Sequence, residues 1–242
     1  MRNIWGWFVG VVLLTGLLIS VFKVFDDGNA PRSAKRAQTP PAEAAKPADA
    51  QPTAPKAPTP EASFADMKVG ADEYILGKAD APVTIVEYAS LTCSHCARFH
   101  AETLPELKKT FIETGMARLV YRDFPLDQAA LMASMVARCA GPGRFFGFID
   151  VFYANQQDWS RDHNPAEAIG GIARLGGLSP DKVNACIKDK KLADKILAQR
   201  LEGDKTFGVN STPALFINGE RYSGGLTLGQ ITAVMGRLIP GK

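Results

Sequence analysis

Two cysteines separated by two residues, placed where a strand pattern gives way to a helical one, constrain this chain more than any other feature. Val83-Thr-Ile-Val-Glu-Tyr-Ala89 carries β-branched residues on both faces, as a strand at the centre of a sheet requires. It runs directly into Ser90-Leu-Thr-Cys-Ser-His-Cys96. A helical spacing of Phe99, Leu104, Leu107 and Phe111 follows through Glu113, with Pro105 expected to kink it. Cys93 therefore opens a helix. Only a thiolate is nucleophilic, and the unsatisfied N–H groups and positive dipole end of a first helical turn favour that anion. The spacing puts both sulfurs on one turn, where they can close an intramolecular disulfide. Cys93 is expected to be the exposed thiol of depressed pKa, with His95 adding a donor or a positive charge. Cys96, one turn in, is expected to be buried and to resolve mixed disulfides.

A CxxC can also be half of a zinc site, but zinc takes about four ligands, usually from two paired knuckles. This chain has four cysteines and no second CxxC: Cys139 and Cys186 stand alone. His100 follows Cys96 by four residues on the same helix, a position that would point it along the helix. A c-type haem needs His directly after the second cysteine, where Ala97 stands. The expectation is no metal and no cofactor, with the close pair and the distant pair of cysteines doing different jobs.

Two further positions bear on the dithiol. Glu87 interrupts an apolar strand six residues before Cys93, and a carboxylate there is costly unless protonated or paired. It is either a proton relay for Cys96 or a strand-edge carboxylate reaching solvent. Thr212-Pro213 precedes Ala214-Leu-Phe-Ile217. Proline is permitted at the start of a strand. The sharper reading is a cis peptide facing the dithiol, with the Thr212 backbone free to pair with a substrate strand.

Around these motifs, Arg118-Leu-Val-Tyr-Arg122 reads as a second strand. From Asp127 to about Gly208 only helical stretches appear, punctuated by Gly141-Pro-Gly143, Gly176-Gly177 and Ser179-Pro180. Asn218-Gly219 marks a hairpin turn, a short strand runs through Tyr222, and a last helix spans Thr227 to Leu238. Ahead of the folded part, Gly28 to Ala62 holds half of the chain's 16 prolines among alanines, the composition of an extended, disordered tether.

Ile4 to Phe22 carries no charge and has Trp5, Trp7 and Phe8 at one end, as a bilayer span with interfacial aromatics would. The best cleavage pattern, Gly28-Asn29-Ala30, is followed by Pro31. The expectation is therefore a retained membrane anchor, with a cleaved signal and a soluble product as the alternative. Lys23, Arg32, Lys35 and Arg36 follow the span, and the positive-inside rule taken literally would hold the domain in the cytoplasm. Long domains translocate largely regardless of such charges, so the cysteine chemistry decides the address. A formal net charge of +3 with no basic stripe gives no footprint for nucleic acid.

Taken together, the strand-to-CxxC junction with Glu87, the Cys-Ser-His-Cys motif, Tyr121-Arg-Asp-Phe-Pro-Leu126, the helical block and Ser211-Thr-Pro-Ala-Leu-Phe-Ile-Asn-Gly219 resemble DsbA-like thiol–disulfide oxidoreductases. The likeness runs from about Met67 to Ile239. It implies an α/β thioredoxin fold with an inserted α-helical domain: residues 64–126 and 209–242 forming the thioredoxin fold and 127–208 the insertion, after an anchor or signal over 1–25 and a linker over 26–63. It implies Cys93 as nucleophile, Cys96 as resolving cysteine, Pro213 as cis-proline and Glu87 as buried acid, with His95 inside the motif. It also implies donation of disulfides to reduced exported proteins outside the cytoplasm, which together with the anchor read above gives an inner-membrane-anchored domain in the periplasm, and re-oxidation by a DsbB-like, quinone-linked membrane partner.

Two positions depart from the best-known members: Ser94 stands where they have proline, and Thr212 where they have valine. Both are expected to line the substrate side. These departures leave a disulfide isomerase or reductase of the same fold as the alternative, and a non-catalytic chaperone module as a more distant one. Some members, notably from alphaproteobacteria, are similar in carrying a second bridge in the helical block, which would pair Cys139 with Cys186. The other reading of those two is a pair of ordinary buried thiols.

Overall fold

The structure, a computed structural model, describes residues 57–65 and 67–239. The anchor or signal assigned to 1–25, and nearly all of the linker, lie outside the described residues. Among the described residues no helix is long and apolar enough to cross a membrane.

Six strands form one sheet in the order β1-β6-β5-β3-β4-β2. They are β1 (Ala62–Ser63), β2 (Tyr74–Leu76), β3 (Val83–Ala89), β4 (Ala117–Asp123), β5 (Ala214–Ile217) and β6 (Glu220–Ser223). β3 pairs parallel with β4 and antiparallel with β5, so the strand that leads into the cysteines sits in the middle. Its residues bury on both sides: Ile85 joins Leu107, Phe111, Leu215 and Ile231 in one cluster, while Val86 and Tyr88 join Val120, Phe207 and Phe216 in another. That two-sided burial is what the unbroken β-branched run encodes. At the sheet edge, β1 falls inside the stretch assigned to the linker. Glu61 holds it there, its backbone N–H donating to the Arg221 carbonyl and its carboxylate accepting from Arg221 and Ser223.

The helical run after the dithiol is not one regular helix. α1 (Ser94–Arg98) passes into a π-helical turn, Phe99–Thr103, then α2 (Leu104–Leu107) and a second π-helical turn, Lys108–Ile112. Leu104 N–H donates to the Phe99 carbonyl, the widened spacing of the first turn. Pro105 sits in the first turn of α2, where its missing N–H costs least, so the expected kink takes the form of a widened turn just ahead of the proline.

Between β4 and β5 lie α3 (Gln128–Cys139), α4 (Pro142–Ala154), α5 (Gln156–Trp159), α6 (Pro165–Leu175), α7 (Pro180–Ile187) and α8 (Lys190–Lys205), and the chain closes with α9 (Leu228–Leu238). Side-chain caps start five of these helices, at Asp127, Asn164, Ser179, Asp189 and Thr227. Phe145, Phe152, Trp159 and Ile169 fill the core of the block and continue it onto Leu91 and Cys96, tying the insertion to the dithiol.

Cys139 and Cys186 are joined by a disulfide with their Cα atoms 5.9 Å apart, fastening the end of α3 to α7 across a separation of 47 residues. A loop of that length is worth roughly 4 kcal/mol in the chain-entropy model, and measured bridges commonly give about 2–4 kcal/mol. The Cys139→Ser, Cys186→Ser double variant is expected to lose that much stability in denaturant titration, while the dithiol keeps its reactivity.

Candidate active site

β3 delivers the chain to the site and Cys93 caps the helix that follows, with extended backbone at φ −79° and ψ 119°. The loop between is braced from below. Gln156 Nε2 donates to the carbonyls of Leu91 and Cys93 at 2.7 and 3.0 Å, and Tyr153 Oη donates to the Ser90 carbonyl at 3.2 Å. Thr92 Oγ1 donates to Asp127 Oδ2 at 2.6 Å, linking the loop to the cap of α3.

Both cysteines are free thiols, Cys93 half-buried and Cys96 buried. Their acidities are pushed apart. A hydrogen bond from the Cys96 thiol is the largest influence on Cys93. Against the opposing effect of burial, it, the Thr212 side chain and the backbone N–H groups of Cys96 and His95 pull Cys93 from 9.0 to about 5. Burial, the hydrogen bond to Cys93 and the Glu87 charge push Cys96 well above 9.0. One sulfur is built to be an anion and the other to hold a proton.

His95 and Ser94 are exposed. The backbone N–H of His95 is among the groups that draw Cys93 down. Across the site, the Thr212–Pro213 peptide is cis. The Thr212 carbonyl accepts from Cys93 Sγ at 3.3 Å, and the buried Thr212 Oγ1 has no other partner, leaving its hydroxyl free to donate to the thiolate. Gly225 lies beside Pro213 and Phe99 on this side of the site.

Glu87 does not reach solvent: it is fully buried, and His100 Nε2 lies 3.0 Å from its Oε2. Its Oε1 has no hydrogen-bond partner. Burial alone would lower the pKa of His100, but the Glu87 charge, with Asp150 beside it, raises it to about 9. Sequence reasoning placed Glu87 and missed His100 as its partner. The widened turn at Phe99–Thr103 carries His100, and periodicity gives no sign of such a turn.

The thioredoxin family matches residues 70–236. The crystal structure of alpha-DsbA1 from Wolbachia pipientis superposes with a TM-score of 0.67 at 31% identity, covering 70% of this chain and 92% of that one. The chain belongs to the DsbA-like thiol–disulfide oxidoreductases. DsbA-like relatives by sequence include a Rickettsia bellii protein named "Putative protein-disulfide oxidoreductase", 34% identical over 161 residues, which are 65% of this chain and 62% of that protein. The Bacillus subtilis "Disulfide bond formation protein D" is 24% identical over 152 residues, 60% of this chain and 67% of that protein. The chain thus spans less than two thirds of the Rickettsia protein's length. The sheet with its helical block between β4 and β5 is the thioredoxin fold with an inserted helical domain.

Proposed function

We propose that this DsbA-like chain donates the Cys93–Cys96 disulfide to reduced exported proteins. The observation that carries the reading is the divergence of the two thiols, one drawn down to about 5 and the other driven well above 9.0. A substrate thiolate attacks Cys93 in the oxidised pair, forming a mixed disulfide and releasing Cys96 as a thiolate that takes up a proton. A second substrate thiolate then attacks the substrate sulfur of that bond. The substrate leaves oxidised, two electrons stay on the protein, and Cys93 departs as a comfortable anion, which makes the oxidised form a strong oxidant.

Glu87 serves as the buried acid, and Thr212 with Pro213 and Ser94 as the surface against which the substrate strand lies. A DsbB-like, quinone-linked membrane partner removes the two electrons. The domain, with its thioredoxin parts at 64–126 and 209–242 and its insertion at 127–208, works in the periplasm on an inner-membrane anchor. The Cys139–Cys186 bridge is structural and suits that compartment.

The rate of Cys93 alkylation by iodoacetamide in the reduced protein tests this. It should rise with a midpoint near pH 5 and be flat above about pH 6, whereas a midpoint near 8.5, the ordinary thiol value, would refute the reading. A depressed pKa stabilises the folded reduced form fully above the ordinary thiol value. That stabilisation shrinks as pH falls and is gone below about 5, so the stability gap between reduced and oxidised protein should close over that window. Ser94 and Thr212 favour a second reading, an isomerase or reductase kept reduced by another partner. The equilibrium constant with glutathione ranks the two.

A further inference from the structure

If Cys93 is the sulfur that substrates capture, Cys96 must leave as a thiolate at each turnover, and a buried thiol of such high pKa has to be handed a proton. Glu87 is close enough for its charge to act on Cys96, but it is wholly buried. Its partner has an opening to solvent. The far ring nitrogen of His100, Nδ1, is buried and unpartnered, and Asp150 Oδ1 stands 3.9 Å from it, beyond hydrogen-bonding distance.

Asp150 is half exposed, with Lys108 Nζ 3.8 Å from its other oxygen. Between the two π-helical turns and α4 lies an open cleft of about 360 Å³, with His100, Asp150, Lys108 and Tyr153 on its walls. Ala97 and Ala101, one helical turn apart, keep its near side low. The titratable and charged groups around the imidazole and on the cleft walls are Glu87 from β3, Tyr121 from β4, Asp150 and Tyr153 from α4, Lys108 from the second π-helical turn, and Glu113 just after that turn.

We propose that this cleft is a proton port for the resolving cysteine: Asp150 and His100 carry protons between solvent and Glu87, and Glu87 exchanges them with the Cys96 sulfur. The inference rests on the disulfide-exchange reading above and extends it to residues outside the dithiol. When the Cys93–Cys96 bond breaks, the His100 imidazolium gives its proton to the Glu87 carboxyl group, which passes it to the Cys96 thiolate and is left charged as before. The neutral His100 is then reprotonated through the cleft. Re-oxidation runs the same proton outward as Cys96 is deprotonated to attack. His100 touches neither sulfur. It acts through Glu87, and its ring is charged at neutral pH because its pKa stands at about 9.

The test uses the full chain and dithiothreitol as the reductant. In His100→Ala, single-turnover reduction of the oxidised protein at pH 7 should slow about tenfold or more. Alkylation of Cys93 in the reduced variant should stay within about twofold of wild type. Added imidazole, free to enter the vacated space from the cleft, should restore the rate with saturation. A rate equal to wild type, or a loss that imidazole does not restore, overturns the port.

Should His100→Ala fail to fold, Asp150→Asn at the half-exposed rim decides. With the rate referred to the dithiothreitol thiolate present, the wild type should slow as pH rises past about 9 and His100 loses its proton; removing the Asp150 charge lowers the His100 pKa, so that fall should move to lower pH, and an unmoved profile overturns the port. A wild type whose Cys93 alkylates like an ordinary thiol would instead defeat the parent reading.

Discussion

Cys93→Ser is expected to reduce disulfide formation on a reduced, unfolded test protein to the background rate of the assay. A hydroxyl cannot form the mixed disulfide, and no other group in the site replaces it. Cys139 and Cys186 are tied to each other, and Cys96 is buried. Serine is close in size to cysteine and the position is half-buried, so the variant should fold and keep its Cys139–Cys186 bridge. The loss is then chemical and not structural. Thiol-oxidation assays on the purified variant, with a thermal melt alongside, check both halves. Any disulfide formation above background in a folded Cys93→Ser protein would end the functional proposal.

The largest effect on stability is expected away from the dithiol, at Arg138. Its guanidinium Nε donates to Asp123 Oδ2, and Nη2 donates to Gln199 Oε1 at 3.0 Å. Asp123 is fully buried at the end of β4, and its other oxygen has no partner. The same guanidinium lies over the rings of Tyr74, at 4.8 Å, and Phe145, at 5.6 Å. Arg138→Ala would leave a buried carboxylate uncompensated and uncover two aromatic faces, a loss of about 3–5 kcal/mol. Replacing both partners, as in Asp123→Asn with Arg138→Met, removes the stranded charge and should recover a good part of that loss. Denaturant unfolding of Asp123→Asn, Arg138→Met and the double variant measures the difference. Near-additive single effects would mean that the pair does not act as a unit.

Both residues stood in plain view in the sequence, yet nothing marked them as a pair, and this is typical of what could not be read. Local patterns were legible. β3 announces itself by β-branched residues on both faces, and the turn at Asn218-Gly219 by residues that tolerate the positive φ values found there, 48° and 83°. The helix after Cys93 was legible by its apolar spacing, though Pro105 could not reveal that the turn before it is widened.

The edge strands were not legible. β1 and β2 have two and three residues, too short for any period, and long-range hydrogen bonds from Arg221 and Tyr74 anchor them. Within the site, Glu87 was conspicuous because a carboxylate in an apolar strand violates a local rule. His100 was not, because its role depends on which way a widened turn aims it. Charges that break a pattern can be found by reading along a chain. The groups that compensate them belong to other elements and become visible only in three dimensions.

The arrangement of the four sulfurs has a consequence for how the molecule matures. Four cysteines can be coupled in three ways. Here each stands with its nearest successor along the chain: Cys93 beside Cys96, and Cys139 bonded to Cys186. A polypeptide that emerges N-terminus first therefore offers every sulfur its correct mate in order, and no early bond must be undone to reach the finished pattern. Such a molecule needs only a source of oxidising equivalents to reach the finished pattern.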